Sequence, residues 1–537
     1  MKKAIALEMQ NVCKRFGPVI ANNNVNLTLY KGEILSLLGE NGSGKTTLMN
    51  MISGIYFPDE GKILINGEEV VIASPKDAFK YKIGMIHQHF KLVDVFTAAE
   101  NIILGIEEEK YNVKDVNSRV REIAERYGFD IDPEKKIHEM SVSEKQTVEI
   151  IKVLYRGADI LILDEPTAVL TPQEITKLFA VLKKMREDGK SIIIITHKLN
   201  EVMEISDRVS ILRKGEYVTT VDTKKTNEKQ LTEYLVGKKV DLKIQRIKTD
   251  FDLPLLELRD LKIKKDDDST AIDGVNFYIR GGEILGVAGI AGCGQKELCE
   301  AIAGLRPLEN GVIAHKGESL IGLTPKQIIE KGIAMSFIPE DRLGMGLAPS
   351  FSITDNMMLK TYADTKGPFV DRKSARTRAQ ALIERLGVVT PSTETPVRRL
   401  SGGNVQKVLV GREIEAGPNV IVTAYPVRGL DINSSYAIYD ILNEEKKKGT
   451  GILFIGEDLD VMLALCDKIM VLCHGKNMGI VHASKTSKEE LGLMMTGALN
   501  LTEVKKDKKL GIAKDSNLSE EQWQEVKKDI QEGEQND

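Results

Sequence analysis

The fold of this chain is decided by the stretch Gly39-Glu40-Asn41-Gly42-Ser43-Gly44-Lys45-Thr46-Thr47. It matches the pattern G-x-x-x-x-G-K-[ST], follows an apolar run and leads into a helix-forming run. In a strand–loop–helix of this kind, glycines let backbone N–H groups turn towards phosphate oxygens at a helix N-terminus that already favours anions. Lys45 adds a positive charge for the β- and γ-phosphates, and Thr46 offers a hydroxyl to Mg²⁺. The stretch therefore predicts a nucleotide-binding P-loop.

The composition is that of a large globular protein. The chain has 537 residues, which is more than one hydrophobic core usually serves, so two or more domains are expected. The net charge of −4 lacks the basic excess typical of nucleic-acid binders. No apolar run in the sequence reaches the roughly 18 residues that a membrane span needs. The five cysteines are scattered, which predicts reduced thiols in a cytosolic protein.

The chain contains two copies of one unit. The tetrapeptide Gly-Glu-Ile-Leu at 32–35 recurs at 282–285, an offset of 250 residues. Later landmarks recur at an offset of 260, and Ser141 for example matches Ser401. The second copy is therefore about ten residues longer than the first.

Each copy alternates aliphatic strands with helical stretches. This alternation predicts an α/β fold, in which each of two domains has a mainly parallel sheet, a P-loop helix and a helical insertion. In the first copy the insertion is expected at 113–140. We expect one domain at 1–240, the second at 252–500, and a charged, solvated tail at 503–537.

Polar residues at strand ends supply further candidate chemistry in the first copy. The aliphatic run 160–163 ends in Asp164 and Glu165, a Walker B arrangement. Asp164 would hold Mg²⁺ through its hydration shell, and Glu165 would polarise the attacking water. Gln88 follows another apolar strand and is placed to reach both the ion and the water, unless it is a surface loop residue. His197 also follows a strand, where it either contacts the γ-phosphate or only ends the strand.

Two further positions leave alternatives open. Phe16 precedes the P-loop strand, and it either stacks on a nucleotide base or belongs to the core of an edge strand. Ser141 precedes a helix, and a serine in that place is most often an N-cap.

The order of P-loop, Gln88, Ser141 segment, Asp164-Glu165 and His197 resembles the nucleotide-binding domain of an ABC transporter, and the resemblance covers residues 5–500. It implies a P-loop NTPase fold of the ABC type, present twice. It also implies that two such domains meet head to tail, with each ATP held between one P-loop and the Ser-Gly-Gly signature of the other domain.

The tandem arrangement is similar to the ATPases of sugar and nucleoside importers. The stretches 85–93 and 165–172 resemble the branch that works with nucleoside-binding lipoproteins. The segments 338–342 and 344–347 resemble the second domain of the wider sugar-importer group. The resemblance therefore implies import of nucleosides, with simple sugars such as ribose or galactose as the alternative.

The second copy has lost its chemistry while its scaffold remains. Gln carries no charge for the phosphates, and neither Ala nor Tyr can hold Mg²⁺ or act as a carboxylate base. The replacements are Lys45 by Gln295, Thr46 by Lys296, Gln88 by Glu340, Asp164 by Ala424, Glu165 by Tyr425, His197 by Glu457 and Phe16 by about Lys265.

The signatures show the opposite pattern. The second copy keeps Ser401, Gly402 and Gly403, whereas the first has Val142 and Ser143 in place of the glycines. The second copy also keeps Asp431 where the first has Thr171. With head-to-tail pairing, the intact P-loop meets the intact signature. The resemblance therefore implies one hydrolytic site and one degenerate site that at most binds nucleotide.

The resemblance implies ATP and Mg²⁺ as ligands of the chain. Catalysis is assigned to Glu165, His197, Gln88 and Lys45, and Mg²⁺ to Thr46, Gln88 and water on Asp164. The residues expected to bind ATP are Phe16, Gly39, Glu40, Asn41, Gly42, Ser43, Gly44, Lys45, Thr46, Thr47, Ser401, Gly402, Gly403 and Asp431.

The predicted function is an ATPase subunit that powers import from the cytoplasmic face of the cell membrane, as a peripheral protein. Its implied partners are two integral-membrane permease subunits and, indirectly, an extracellular substrate-binding lipoprotein, with no nucleic acid. A tandem ATPase acting on ribosomes or nucleic acid is a rival interpretation. Proteins of that class have a long basic linker and two complete sites, and this sequence has neither feature. A non-enzymatic scaffold is a further rival, against which Glu165 and His197 weigh.

Overall fold

The computed structural model describes residues 4–502, apart from 18, 41, 88–89, 107–112, 169, 238–243, 250–253, 291, 331–334, 340, 363–369 and 429. The predicted ligands Asn41 and Gln88, the replacement Glu340 and the predicted tail at 503–537 therefore lie outside the described residues.

The chain divides between residues 241 and 242 into two compact units, which we call unit 1 and unit 2. The segment 244–249 packs on unit 2. Ile244 contacts its hydrophobic core, and the side-chain amide of Asn443 donates to the carbonyl of Gln245 at 2.9 Å. The hydroxyl of Thr249 donates to the carbonyl of Gly282. This segment therefore belongs to the second compact body.

Unit 1 begins with long strands and then alternates strands with helices. Its strands are β1 (Ile5–Phe16), β2 (Val19–Tyr30), β3 (Ile34–Gly39), β4 (Glu60–Ile65), β5 (Glu68–Val70), β6 (Ile83–Ile86), β7 (Ile160–Asp164), β8 (Ser191–Thr196), β9 (Arg208–Arg213) and β10 (Glu216–Asp222). Its helices are α1 (Lys45–Ile52), α2 (Pro75–Lys80), α3 (Ala98–Ile103), α4 (Val113–Tyr127), α5 (Val142–Tyr155), α6 (Pro172–Glu187), α7 (Leu199–Ile205) and α8 (Glu228–Val236).

The strands of unit 1 form one sheet in the order β5-β4-β1-β2-β10-β9-β3-β8-β7-β6. The part from β6 to β9 is parallel, with β3 between β8 and β9, and the part from β2 to β5 is antiparallel. A single parallel pair, Glu216 with Asn23, joins the two parts. β3, β7 and β8 are buried along their whole length, as expected for parallel strands covered on both faces.

A helical insertion in unit 1 has its own hydrophobic core. α3, α4 and α5 pack together through buried residues that include Ile102, Val120, Val148 and Ile151. The predicted insertion at 113–140 contains α4, and it connects α3 to α5.

Unit 2 repeats this architecture. Its strands are β11 (Pro254–Lys264), β12 (Thr270–Arg280), β13 (Ile284–Gly289), β14 (Asn310–His315), β15 (Glu318–Ser319), β16 (Met335–Ile338), β17 (Val420–Ala424), β18 (Gly451–Ile455), β19 (Lys468–Cys473) and β20 (Lys476–His482). Its helices are α9 (Gln295–Ile302), α10 (Pro325–Glu330), α11 (Ile353–Met358), α12 (Arg372–Leu386), α13 (Gly402–Glu415), α14 (Ile432–Lys447), α15 (Leu459–Leu465) and α16 (Lys488–Met495).

The strand orders of unit 2 are β16-β17-β18-β13-β19-β20 and β12-β11-β14-β15, which match the two parts of the sheet in unit 1. The predicted fold, an α/β domain with a mainly parallel sheet and present twice, is confirmed. All five cysteines are buried and unpaired.

An acidic side chain fixes the start of the P-loop strand in each unit. Asp207 accepts the backbone N–H of Ile34 at 3.0 Å and pairs with Arg186 at 3.2 Å. In unit 2, Asp467 accepts the backbone N–H of Ile284 at 2.8 Å and pairs with a fully buried lysine, Lys446. Because the buried cation is paired, its charge is tolerated in the core.

Candidate functional site

The P-loop of unit 1 connects β3 to α1 through two left-handed glycines. Gly42 has φ 78° and Gly44 has φ 92°, a region that glycine enters without steric cost. A Cβ at Gly44 would lie 2.2 Å from the carbonyl oxygen of Ala21, so a larger residue cannot occupy this position without a backbone shift. The glycine pattern seen in the sequence is therefore a requirement of the loop itself.

Lys45 is folded back over the P-loop. Its ammonium donates to the carbonyl oxygens of Gly39 at 2.7 Å and Glu40 at 3.0 Å, and the residue is only 6% exposed. Burial lowers the pKa of Lys45, and the nearby carboxylates of Glu165 and Asp164 oppose that shift. The loop thus holds a cation at the place where the sequence predicts phosphates.

Asp164 is a buried carboxyl group at the end of β7. It is 8% exposed, and burial, together with the charge of Glu165, raises its pKa to about 6. Lys45 and a hydrogen bond with the hydroxyl of Thr46 act in the opposite direction. An ionised Asp164 therefore gains from any additional positive charge beside it.

The donor set at this place fits Mg²⁺. The carboxylate of Asp164 and the hydroxyl of Thr46 are hard oxygen donors, and they are near enough to share a hydrogen bond. In the described ranges, no group of three or more His, Cys, Asp or Glu residues forms a metal cluster. One carboxylate, one hydroxyl and water is the kind of incomplete protein shell that Mg²⁺ accepts alongside nucleotide phosphates.

Glu165 and His197 form a pair beside Asp164. His197 Nδ1 lies 3.0 Å from Glu165 Oε1, and since the carboxylate can only accept, the ring nitrogen donates. This hydrogen bond is the main cause that lowers the pKa of Glu165, against the effect of burial. Glu165 has φ 48°, which is uncommon for a residue with a side chain, and its backbone N–H donates to the carbonyl of Ile195 at 2.9 Å. The carboxylate is therefore kept ionised, as a group that polarises water must be.

Three residues that sequence reasoning missed hold the turn after Glu165. The side-chain amide of Gln146 on α5 donates to the carbonyl of Pro166 at 2.7 Å. The hydroxyl of Thr167 donates to the carboxylate of Glu201 at 2.6 Å, and all three side chains are buried. The first contact joins residues 20 positions apart and the second joins residues 34 positions apart, so no local sequence motif predicts either contact.

Phe16 is the last residue of β1 and is 42% exposed. Its ring lies edge-to-face with Tyr56, with 5.2 Å between the ring centroids. The side chain is therefore neither fully in the core nor isolated, and one part of the ring remains accessible.

Unit 2 keeps the backbone of the site without its chemistry. Gly292 and Gly294 have φ 87° and 99°, and Tyr425 has φ 51°, close to the value at Glu165. The amide of Gln295 donates to the carbonyl of Ile290 at 3.1 Å, so a neutral group replaces the cation of Lys45. The position of His197 is taken by Glu457, which pairs with Arg428.

The two signature serines have different local roles. Ser141 is the N-cap of α5: its hydroxyl accepts the N–H of Glu144 at 3.2 Å, and the Glu144 carboxylate accepts the N–H of Ser141 at 2.7 Å. The N-cap interpretation is thus confirmed in unit 1. Ser401 makes no side-chain cap to α13, and its hydroxyl instead accepts a hydrogen bond from the amide of Asn404 at 2.9 Å.

The glycines of the intact signature are not required by the backbone of unit 2. Neither Gly402 nor Gly403 has a positive φ. A Cβ at Gly403 would make ordinary contacts with Leu430 and Asp431 at 3.7 and 3.8 Å. Asp431 itself is the N-cap of α14 and accepts the N–H of Ser434 at 2.9 Å.

The raised pKa of Asp164 predicts a stability gain in Asp164→Asn. A carboxyl group with a higher pKa in the folded protein binds its proton more tightly when folded, so the wild type loses stability as pH rises from about 4 to about 6, and the loss persists above that range. At pH 7.5, without nucleotide or Mg²⁺, the variant should be more stable by on the order of 1–3 kcal/mol. Thermal unfolding at pH 7.5 and pH 5 checks this, because the gain should shrink at the lower pH. An equal or greater gain at pH 5 would contradict it.

No helix among the described residues is both long and apolar enough to cross a membrane.

Comparison with known proteins places the chain in a family. The model of that family, described as ABC transporter, matches residues 22–168 and 272–423. The chain is 41% identical to the nucleoside import ATP-binding protein NupA of Lactococcus lactis subsp. cremoris, over 93% of this chain and 99% of that protein. It is 42% identical to the guanosine import ATP-binding protein NupO of Bacillus subtilis, over 92% and 97% respectively. It is 36% identical to the ribose import ATP-binding protein RbsA 1 of Rubrobacter xylanophilus, over 92% and 98%. These matches confirm the resemblance seen in the motifs, and the chain belongs to the ABC transporter family as an ATP-binding subunit with two ABC domains in one polypeptide.

Proposed function

We propose that the chain hydrolyses ATP at the site of unit 1 and thereby powers import of nucleosides through a separate membrane permease. The observation that carries this proposal is the convergence of Lys45, Thr46, Asp164, Glu165 and His197 at one edge of the parallel sheet in unit 1. In unit 2 the counterparts of Lys45, Asp164 and Glu165 are uncharged side chains, namely Gln295, Ala424 and Tyr425.

The proposed roles of these residues are consistent with their positions. Lys45 and the N–H groups of the P-loop bind the β- and γ-phosphates, and Glu165, kept ionised by His197, orients and polarises the attacking water. His197 fixes the carboxylate and is proposed to contact the γ-phosphate. Thr46 and water on Asp164 would hold Mg²⁺, whose charge would stabilise negative charge on the phosphates. Asn41 and Gln88 remain proposed ligands, as does Phe16 for the base.

The ATP site of unit 1 is proposed to be completed by the intact signature, as head-to-tail pairing in the family implies. The residues proposed to bind ATP there are Ser401, Gly402, Gly403 and Asp431. Two features support this role. The hydroxyl of Ser401 is not used to cap its own helix, and the backbone of unit 2 does not require the two glycines. In unit 1 the corresponding Ser141 is engaged in a capping box with Glu144, whereas the Ser401 hydroxyl accepts a hydrogen bond from the side-chain amide of Asn404. One complete and one degenerate site are the result.

The proposed partners are two permease subunits in the membrane and, outside the cell, a substrate-binding lipoprotein. The chain would act at the cytoplasmic face. Nucleosides are preferred because the two relatives named for nucleoside or guanosine import are 41% and 42% identical, whereas a relative named for glucose import is 38% identical and one named for ribose import 36%. Simple-sugar import is the second candidate on the strength of those names.

The substrate proposal predicts which ligand stimulates turnover. The chain is assembled in liposomes with candidate permease subunits and a candidate binding lipoprotein from the same organism, and phosphate release is measured with guanosine or with ribose. Guanosine should raise the rate severalfold, and ribose should leave it unchanged. Stimulation by ribose alone would establish the sugar alternative, and stimulation by neither would reject both.

A further inference from the structure

Arg342 connects the signature of unit 2 to the turn that follows β17. It begins a π-helical turn, Arg342–Gly346, shortly after β16. Its guanidinium donates through Nη1 to the carbonyl of Gly402 at 3.2 Å and through Nη2 to the carbonyl of Arg428. A single side chain therefore joins the first turn of α13, where the signature lies, to the backbone of the degenerate Walker B turn.

Unit 1 makes the corresponding connection with a different residue. β6 and β16 align at an offset of 252, so Arg342 corresponds to Phe90, which cannot donate such bonds. There Gln146 on the signature helix donates to the carbonyl of Pro166 at 2.7 Å. The counterpart of Gln146 in unit 2 is Gln406, which is 1% exposed.

Both polar atoms of the Gln406 amide lack a hydrogen-bond partner within the described residues. In unit 2 it is Arg342 that connects the signature helix to this turn, at Arg428, two residues beyond the counterpart of Pro166.

The placement of Arg342 is electrostatically costly, and the two carbonyls that accept its hydrogen bonds offset part of that cost. The N-terminus of a helix carries partial positive charge, and a guanidinium beside it is repelled. Burial and the positive charge of Arg428 lower the pKa of Arg342.

Arg342 also restricts the residue type at position 402. A Cβ at Gly402 would lie 3.3 Å from Nη1 of Arg342, which is a crowded contact, and the counterpart of Gly402 in unit 1 is Val142. The combination of arginine with glycine is thus present only in the copy whose signature is intact.

We propose that Arg342 is a positioning residue that holds the Ser401–Gly403 turn in the geometry required for ATP hydrolysis, without contacting the nucleotide. The inference rests on the proposed function, in which this turn completes the site of unit 1. ATP is bound in the ground state mainly by the P-loop of unit 1, whereas the signature turn must be fixed for the transition state. Loss of the fixing bonds should therefore lower kcat and leave KM for ATP nearly unchanged.

The test compares Arg342→Gln with Arg342→Lys in the full chain assembled with its permease partners. Arg342→Gln should lower kcat about tenfold with KM for ATP within about twofold. Arg342→Lys should recover part of that loss, because an ammonium can still donate to one of the two carbonyls. The matched control is Arg385→Gln, which removes an exposed ion pair with Glu444 on another part of unit 2 and should leave kcat unchanged.

Thermal unfolding of each variant separates positioning from folding, and Arg342→Gln should shift the unfolding temperature by no more than about 3 °C. A kcat within twofold of the wild type, a parallel rise in KM, or the same loss in Arg385→Gln would overturn the inference. Glu165→Gln is measured in the same assay. If that variant retains full turnover, the proposed site itself is wrong, whereas normal turnover in Arg342→Gln alone rejects only the positioning role.

Discussion

Glu165→Gln is expected to lower ATP turnover by about two to three orders of magnitude while ATP binding remains intact. Glutamine has the shape of glutamate and can still accept a hydrogen bond from His197, but it cannot polarise water as a carboxylate does. The carboxylate of Glu165 is held ionised by His197 at 3.0 Å, so its charge is available at neutral pH. Phosphate release measures turnover, and equilibrium titration with a fluorescent ATP analogue measures binding.

The matched control for this experiment is Tyr425→Phe in unit 2. Tyr425 occupies the same left-handed backbone position, with φ 51° against 48° at Glu165. Because Tyr425 cannot act as a base, the control should change turnover less than about twofold. Comparable losses in both variants would contradict the assignment of hydrolysis to the carboxylate of Glu165.

Lys45→Ala is expected to weaken ATP binding by about two orders of magnitude, because charge-assisted hydrogen bonds to the phosphates are lost. The same change removes a positive charge that favours the ionised forms of Asp164 and Glu165. Turnover at saturating ATP should therefore fall as well. Binding isotherms and steady-state rates, measured with Mg²⁺ present, separate the two effects.

Gln295→Ala is the corresponding change in unit 2. Gln295 is neutral and donates to the carbonyl of Ile290, so its removal costs one uncharged hydrogen bond. We expect less than a threefold effect on turnover, in contrast to Lys45→Ala. Equal losses at the two positions would refute the assignment of hydrolysis to unit 1.

The parts of the fold that the sequence predicts are those encoded in short patterns. The P-loop glycines, the aliphatic run before Asp164 and the internal repeat each lie within a few residues or at a fixed offset, and the structure has the expected parallel sheets. The requirement for glycine at position 44 can be predicted from the sequence pattern, because the backbone there is left-handed and a Cβ would collide with the carbonyl of Ala21. Backbone requirements of this kind restrict the residue type at a single position, so they can be recognised from the sequence.

The supporting contacts are invisible in the sequence because they depend on tertiary structure. Gln146 acts on Pro166, and Arg342 acts on Gly402 and Arg428, across as many as 86 residues. The raised pKa of Asp164 likewise results from burial and from Glu165, which no motif quantifies. Ser141 and Ser401 both precede a helix, yet only the structure shows that one caps it and the other does not.

The left-handed backbone at Tyr425 indicates that unit 2 descends from a domain with the same turn as unit 1. A bulky residue at φ 51° lowers the stability of the fold by on the order of 1 kcal/mol relative to an ordinary conformation, and Tyr425 has no carboxylate for which this conformation would be needed. The simplest history is a gene duplication in which both daughters were complete, followed by divergence of side chains on a main chain that stayed the same. At Gly292, Gly294 and Tyr425, unit 2 therefore retains the main-chain conformation of a catalytic site whose side chains it lacks.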